Sequence, residues 1–253
     1  SATNSSSSAG RAFDMMSLYN YEVIDATTSS GSAYPPAPGE TASMLERVSD
    51  HPSTIDPEPF AGPDHPIRRR TRAVADGVPW TIDNARRMAE LFDSMAAEWS
   101  TQHVDDTKSA PVLDAIERGE VPVDGAWLEL GSGTGAGARV LSGAVGSLVV
   151  TDLSVEMLRH SPGELAPRVH ADASALPFPT GSFDAVVMIN MLLFPHEVDR
   201  VLRVGGSVVW INSLGDQTPI HLPAEDVLAA LPGEWDGRTA RAGTGFWLTA
   251  RRH

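Results

Sequence analysis

The chain contains no cysteine, so neither a disulfide framework nor a thiolate metal site can form, and a reducing compartment suits it. Long hydrophobic runs are also missing: the apolar stretches have the length of buried strands, short of the roughly 20 residues a membrane-spanning helix requires. The Ser-rich start lacks the apolar centre of a signal peptide. Basic residues are the scarcer charge, with 19 Lys and Arg against 33 Asp and Glu and a formal net charge of −14. Such a surface repels the phosphate backbone that dominates nucleic-acid affinity, which excludes DNA and structured RNA as expected partners. The expectation is a cytoplasmic protein with no membrane segment, no metal site and a small-molecule partner. Its 253 residues suffice for one α/β domain with an extension, and for a core that needs no covalent staples.

What is present divides unevenly. Residues 1–82 read as an N-terminal extension: residues 1–10 are Ser, Ala, Asn and Gly with one Thr, and 50–66 carry five prolines. That composition cannot easily build its own core. Two apolar islands, 13–24 and 41–48, could dock on something else, and an arm of this kind can join two copies into a homodimer. From Asp83 the spacing turns helical, with Met88, Leu91, Phe92, Met95, Ala96 and Trp99 recurring every three or four residues behind Thr81 and Asp83 as cap signals. A second helix is expected at 110–118, so that 83–120 forms a helical lid at the start of a domain spanning 83–253. Strands are expected at 126–130, 147–151, 168–171, 183–189 and 207–212, with helices between them, which implies a parallel sheet with crossovers. Helices at 197–203 and 224–231 and an antiparallel pair at 235–242 and 244–251 complete the pattern.

Chemistry concentrates at two strand ends. Trp127-Leu128-Glu129-Leu130-Gly131-Ser132-Gly133-Thr134-Gly135 is an apolar strand ending in three glycines at alternate positions and leading into a helix. Missing side chains let the backbone approach a ligand, and the helix N-terminus presents free amides. Leu148-Val149-Val150-Thr151-Asp152 then ends a neighbouring strand in an acid, seventeen residues beyond Gly135. A carboxylate there can accept hydrogen bonds from both hydroxyls of a ribose; Ser154 can cap the next helix without it.

These segments resemble the first two motifs of class I S-adenosylmethionine-dependent methyltransferases, in the branch that contains ubiquinone, menaquinone and many small-molecule methyltransferases. The likeness continues through Ala171-Asp172-Ala173-Ser174-Ala175-Leu176-Pro177-Phe178, Ser182-Phe183-Asp184-Ala185-Val186-Val187 and Arg200-Val201-Leu202-Arg203-Val204-Gly205-Gly206. Upstream, Leu91-Phe92-Asp93 with Ala96 and Trp99 is similar to the helix that precedes the core. The resemblance implies a Rossmann-like α/β fold, a mostly parallel seven-stranded sheet with an antiparallel last strand, and S-adenosylmethionine as cofactor with S-adenosylhomocysteine as product. It further implies that Gly131, Ser132, Gly133 and Gly135 follow the methionine and ribose and that Asp152 holds the ribose hydroxyls. Leu153 and Met157 would lie against the adenine, Asp172 and Ala173 would read its edge, Glu129 would reach the amino group, and Asn190 would stand between cofactor and acceptor. The chain departs from the branch at Phe194-Pro195-His196, where many relatives carry a His-His pair, and before residue 84.

Methyl transfer from a sulfonium is an in-line displacement that mainly needs alignment and exclusion of water, with a general base only where the acceptor must lose a proton. His196 is the candidate base, expected in a loop after Asn190; His221 and His103 are weaker ones. Arg68, Arg69, Arg70 and Arg72 could meet an anionic substrate or a neighbouring acidic surface. Trp80 and Trp99 could wall an apolar pocket, and specificity is expected in residues 1–110. Two alternatives stand beside this reading: a protein of the same fold that binds the cofactor as a scaffold or cyclase-like catalyst, and a nicotinamide-dependent dehydrogenase.

Overall fold

The computed structural model describes residues 43–52, 66–102 and 109–253. Its strands are β1 (Met44–Arg47), β2 (His51–Pro52), β3 (Ala126–Leu130), β4 (Ser147–Asp152), β5 (Arg168–His170), β6 (Phe183–Ile189), β7 (Leu202–Asn212), β8 (Trp235–Gly243) and β9 (Gly245–Arg252). The helices are α1 (Pro66–Ala75), α2 (Ile82–Gln102), α3 (Ala110–Arg118), α4 (Ala136–Leu141), α5 (Val155–His160), α6 (Pro195–Val201) and α7 (Ala224–Ala230).

The strands form one sheet in the order β1-β8-β9-β7-β6-β3-β4-β5, with β2 also on β8. Only β9 runs against the rest, pairing antiparallel with both β7 and β8. The expected seven strands are thus β3 to β9, and the extension adds two: β1 and β2 pair parallel with β8, in the register Leu45 to Gly237 and His51 to Ala242. Asp50 secures the junction, its carboxylate accepting from the Arg241 amide at 2.7 Å.

Alternation along the strands sends side chains into two apolar clusters, one on each face. Leu128, Leu130, Val186, Met188, Val208, Trp210 and Leu248 pack against α1, α6 and α7. Trp127, Ala185, Val187, Val209, Ile211 and Trp247 pack against α3 and α4. Covered on both sides, β6 reads as a continuous apolar run, as parallel strands do. Trp127, Trp210, Trp235 and Trp247 are fully buried. Each donates its indole N–H, to Pro122 O, Leu222 O, Pro232 O and the Asp114 carboxylate respectively, so none carries the desolvation cost of an unpaired donor.

Two boundaries differ from the sequence expectation. The helix placed at 197–203 begins at Pro195, whose fixed φ suits a first helical turn, and ends at Val201. The strand placed at 207 begins at Leu202, which pairs with Phe183; the ladder then shifts register before Ala185 and resumes at Ser207. Gly205, at φ 75°, supplies the left-handed residue in that irregularity, so Arg203-Val204-Gly205-Gly206 is a bulged strand rather than a helix end.

Candidate active site

Strand order reverses between β3 and β6, the point where open α/β sheets leave a crevice at their carboxyl ends. A cavity of about 340 Å³ opens there. Its strand side is formed by Glu129, Gly131, Ser132 and Gly133 after β3, Asp152, Leu153 and Met157 after β4, Asp172 and Ala173 after β5, and Asn190 after β6. Ten of the eleven residues that the resemblance assigned to the cofactor therefore line one cavity. Gly135 does not line it; at φ 84° it is the N-cap of α4. Gly131 has φ 68°, and a side chain there would meet the Met191 sulfur, so both conformation and space require glycine.

The strand-end acids are held by backbone. Asp152 accepts from the Gly133 amide at 2.7 Å and the Ser154 amide at 2.8 Å, which ties the glycine loop to the end of β4. Burial pushes its carboxyl up from the ordinary range, while those amides act to lower it. Ser154 caps α5 independently, its hydroxyl accepting from the Met157 amide at 3.0 Å. Asp172 accepts from the Ser174 amide at 2.8 Å and from the Trp80 indole N–H at 3.0 Å. Asn190 has φ 52°, a strained value for a residue with a Cβ, and its side-chain amide both donates to Ser213 Oγ at 2.8 Å and accepts from the Ser213 amide at 2.9 Å.

Glu129 is the most perturbed group. It is buried at 1% exposure, and its Oε2 accepts no hydrogen bond. Loss of water pushes its carboxyl up to about 8, with the Asp152 charge adding to the effect. Ser132 Oγ is likewise buried without a partner. Two orphaned polar atoms in one cavity wall fit a ligand with donors, and an anionic carboxylate there calls for a cation. Space for Glu129 exists because residue 137 is glycine: a Cβ on Gly137 would collide with Glu129 Oε1 and Ile189 Cδ1. Gly137→Ala should therefore displace the carboxylate and weaken ligand binding about tenfold or more, with overpacking costing about 1–3 kcal/mol of stability. Calorimetric titration and melting of the variant check this; unchanged affinity and melting would show that the carboxylate does not need that gap.

The rest of the lining is largely apolar and includes Trp80, Met88, Phe92, Trp99, Val112, Met191, Leu192, Phe194 and Ile220. Thr81 starts α2 by accepting from the Asn84 amide at 3.2 Å, and so aims Met88, Phe92 and Trp99 along one helix face. Phe92 and Trp99 meet edge to face at 6.2 Å, as do Trp80 and Phe194 at 5.5 Å. Met191, Phe194, Ser213 and Ile220 were missed in the sequence; the Phe194-Pro195-His196 departure and the Asn212-Ser213 end of β7 were the available signals.

His196 is not brought to the cavity: it is exposed in the first turn of α6, because Pro195 starts the helix ahead of it. His221 is half-buried elsewhere, with Nδ1 3.0 Å from Asn212 Oδ1 and its pKa lowered by burial. His103 lies outside the described residues. Of the arginine run, Arg68 donates to the carbonyls of Asp216 and Thr218 and Arg72 pairs with Asp226, which fastens α1 to the segment around α7; Arg69 and Arg70 are exposed.

A family model described as a methyltransferase domain matches residues 128–210. The ubiquinone/menaquinone biosynthesis C-methyltransferase UbiE of Hahella chejuensis is 30% identical over 180 residues, covering 61% of this chain and 71% of that protein. The protein of the same name from Bordetella parapertussis is 32% identical over 177 residues, covering 62% and 67%. Among solved structures, an S-adenosylmethionine-dependent methyltransferase from Aquifex aeolicus superposes with a TM-score of 0.52 at 16% identity, over 64% of this chain and 98% of that one, a likeness of fold.

Proposed function

Because the chain belongs to the class I S-adenosylmethionine-dependent methyltransferases, we propose that the acceptor it methylates is a small, largely apolar ring compound of the quinol type. The observation that carries this reading is the set of aromatic side chains, Trp80, Phe92, Trp99 and Phe194, that share one cavity with the carboxylates at the strand ends. The names of the two bacterial relatives, which place them in ubiquinone and menaquinone biosynthesis, point the same way. Family membership sets aside the nicotinamide-dependent reading.

On this reading the enzyme domain spans 83–253, with 83–120 as its lid, and the extension 1–82 contributes Trp80 to the acceptor wall and carries much of the specificity. Glu129 takes the ammonium of the cofactor's methionine part, and the loop Gly131, Ser132 and Gly133 follows that part, with Gly135 shaping the turn. Asp152 takes the ribose hydroxyls, Leu153 and Met157 pack on the base, and Asp172 with the Ala173 amide reads its edge. The fit rests on the unpartnered oxygens of Glu129 and Ser132 and on carboxylates that keep lone pairs beyond those their backbone donors occupy. When bound, the cofactor supplies a sulfonium methyl that is already activated. The protein's share is to exclude water with α2 and the aromatic wall and to align the acceptor against Asn190, whose geometry is locked by Ser213. His196 has no part in it. A quinol ionised at oxygen is itself a carbon nucleophile, so the attack needs no protein base at that instant. A small-molecule enzyme of the cytoplasm, homodimeric through the arm, completes the reading; among the described residues no helix is long and apolar enough to cross a membrane.

The test is incubation with methyl-labelled S-adenosylmethionine and a naphthoquinol lacking its ring methyl, followed by mass spectrometry. Label in the ring is the expected result. Tight cofactor binding with no transfer to any quinol, but transfer to amines or carboxylates, would overturn the acceptor class.

A further inference from the structure

Trp80, two residues before α2, comes from the segment that lies ahead of the family resemblance, yet it contacts two other residues of the cavity lining. Trp80 donates its indole N–H to Asp172 Oδ2 at 3.0 Å, and its ring meets Phe194 edge to face at 5.5 Å and 76°. Phe194 itself stands where the chain departs from its branch, so two residues outside the family pattern are in contact. The middle of α2 is fastened too: Asp93 accepts from the Ser154 hydroxyl and from the Glu156 amide at 3.1 Å, at the start of α5. The chain entering the lid is thus tied to the loop after β5 by Trp80, and the lid itself to the loop after β4 by Asp93.

A carboxylate with one oxygen on a backbone amide and the other on an indole N–H is fixed in orientation, with its remaining lone pairs directed by those two bonds. The geometry points to Trp80 as a positioning residue that sets Asp172 to receive the exocyclic amine of the cofactor's adenine and, through the same ring, couples cofactor binding to the shape of the acceptor wall. This rests on the assignment of Asp172 to the adenine edge. Cofactor bound at Asp172 holds Trp80 in place against Phe194, and a displaced Trp80 opens the apolar wall. Acceptor should accordingly bind the cofactor-loaded protein more tightly than the free protein, and the reciprocal effect must be equal.

Trp80→Phe removes the N–H while keeping a ring against Phe194. Titrations of the full chain would use S-adenosylhomocysteine and its deaminated analogue, S-inosylhomocysteine, which lacks the exocyclic amine. The wild-type protein is expected to prefer the amine-bearing ligand, and Trp80→Phe to lose about fivefold or more of that preference, the scale of one charge-assisted hydrogen bond. Equal weakening of both ligands would mean that Trp80 only supports the fold, and no change in either would mean that it does not set Asp172; both overturn the proposal. Fluorotryptophan at position 80 alone keeps the indole N–H should the phenylalanine variant not fold. Its fluorine resonance must move when S-adenosylhomocysteine is added, and a resonance that stays put overturns the proposal as well. Asp152→Ala separates the two levels: retention of S-adenosylhomocysteine by that variant would sink the assignment of the cofactor site, whereas its loss beside an unaffected Trp80→Phe would sink the role of Trp80 alone.

Discussion

Glu129→Gln should make the cofactor-free protein more stable above pH 8 and at the same time weaken its hold on S-adenosylmethionine. The carboxyl of Glu129 is pushed from 4.5 to about 8 by burial. An acid whose pKa is raised on folding binds a proton in the native state that the unfolded chain has already released, so stability falls as pH rises from about 4.5 to about 8 and levels off beyond. The shift corresponds to about 5 kcal/mol across that window. Glutamine has the same shape and no charge, so the variant should lack this decline. An unpaired amide still costs about 1–3 kcal/mol, and a net gain of roughly 2 kcal/mol or more is expected near pH 9. Urea titrations of both proteins between pH 5 and pH 9 would show it as diverging midpoints. With the cofactor placed as proposed, the preference should reverse, because its ammonium would favour the ionised carboxylate. Binding at pH 6 to 7 should then release close to one proton, visible as a calorimetric heat that changes with the ionisation enthalpy of the buffer. Coincident stability curves, or binding heat independent of buffer, would mean that Glu129 keeps one charge state throughout.

Asp152→Ala is expected to lower affinity for S-adenosylmethionine by about a hundredfold or more. Two hydrogen bonds from ribose hydroxyls to a charged acceptor contribute about 1.5–3 kcal/mol each when water is excluded. The variant also frees the Gly133 amide, which Asp152 now holds at 2.7 Å, so the glycine loop loses its tie to β4. Asp152→Asn separates the two effects: it keeps the volume, and its carbonyl can still accept from one amide. Calorimetry on the three proteins, with NAD as a second ligand, checks the expectation. Affinity within threefold of wild type in Asp152→Ala would remove Asp152 from the binding site.

Periodicity and strand-end chemistry made much of this protein legible in one dimension. Helical spacing from Asp83 and the apolar runs that became β3, β4 and β6 are local signals, and backbone geometry follows from them without knowledge of neighbours. The glycines of the β3 loop and the acids that end β4 and follow β5 belong to the same class, since their roles follow from missing side chains and from position at a strand tip. Only the tertiary structure decided the rest. Pro195 and Gly205 carried ambiguous local messages: pairing of Leu202 with Phe183 resolved the second in favour of a longer strand, and the helix start at Pro195 left His196 on the surface. The arginine run and the 41–48 island carried no sign of which surface they would meet until α7 and β8 supplied partners. Trp80 and Phe194 lie more than a hundred residues apart, and Trp80 and Asp172 nearly as far; the crossovers of the sheet bring them into contact. Composition and period report what a residue prefers, whereas a contact between distant residues exists only once the chain has folded.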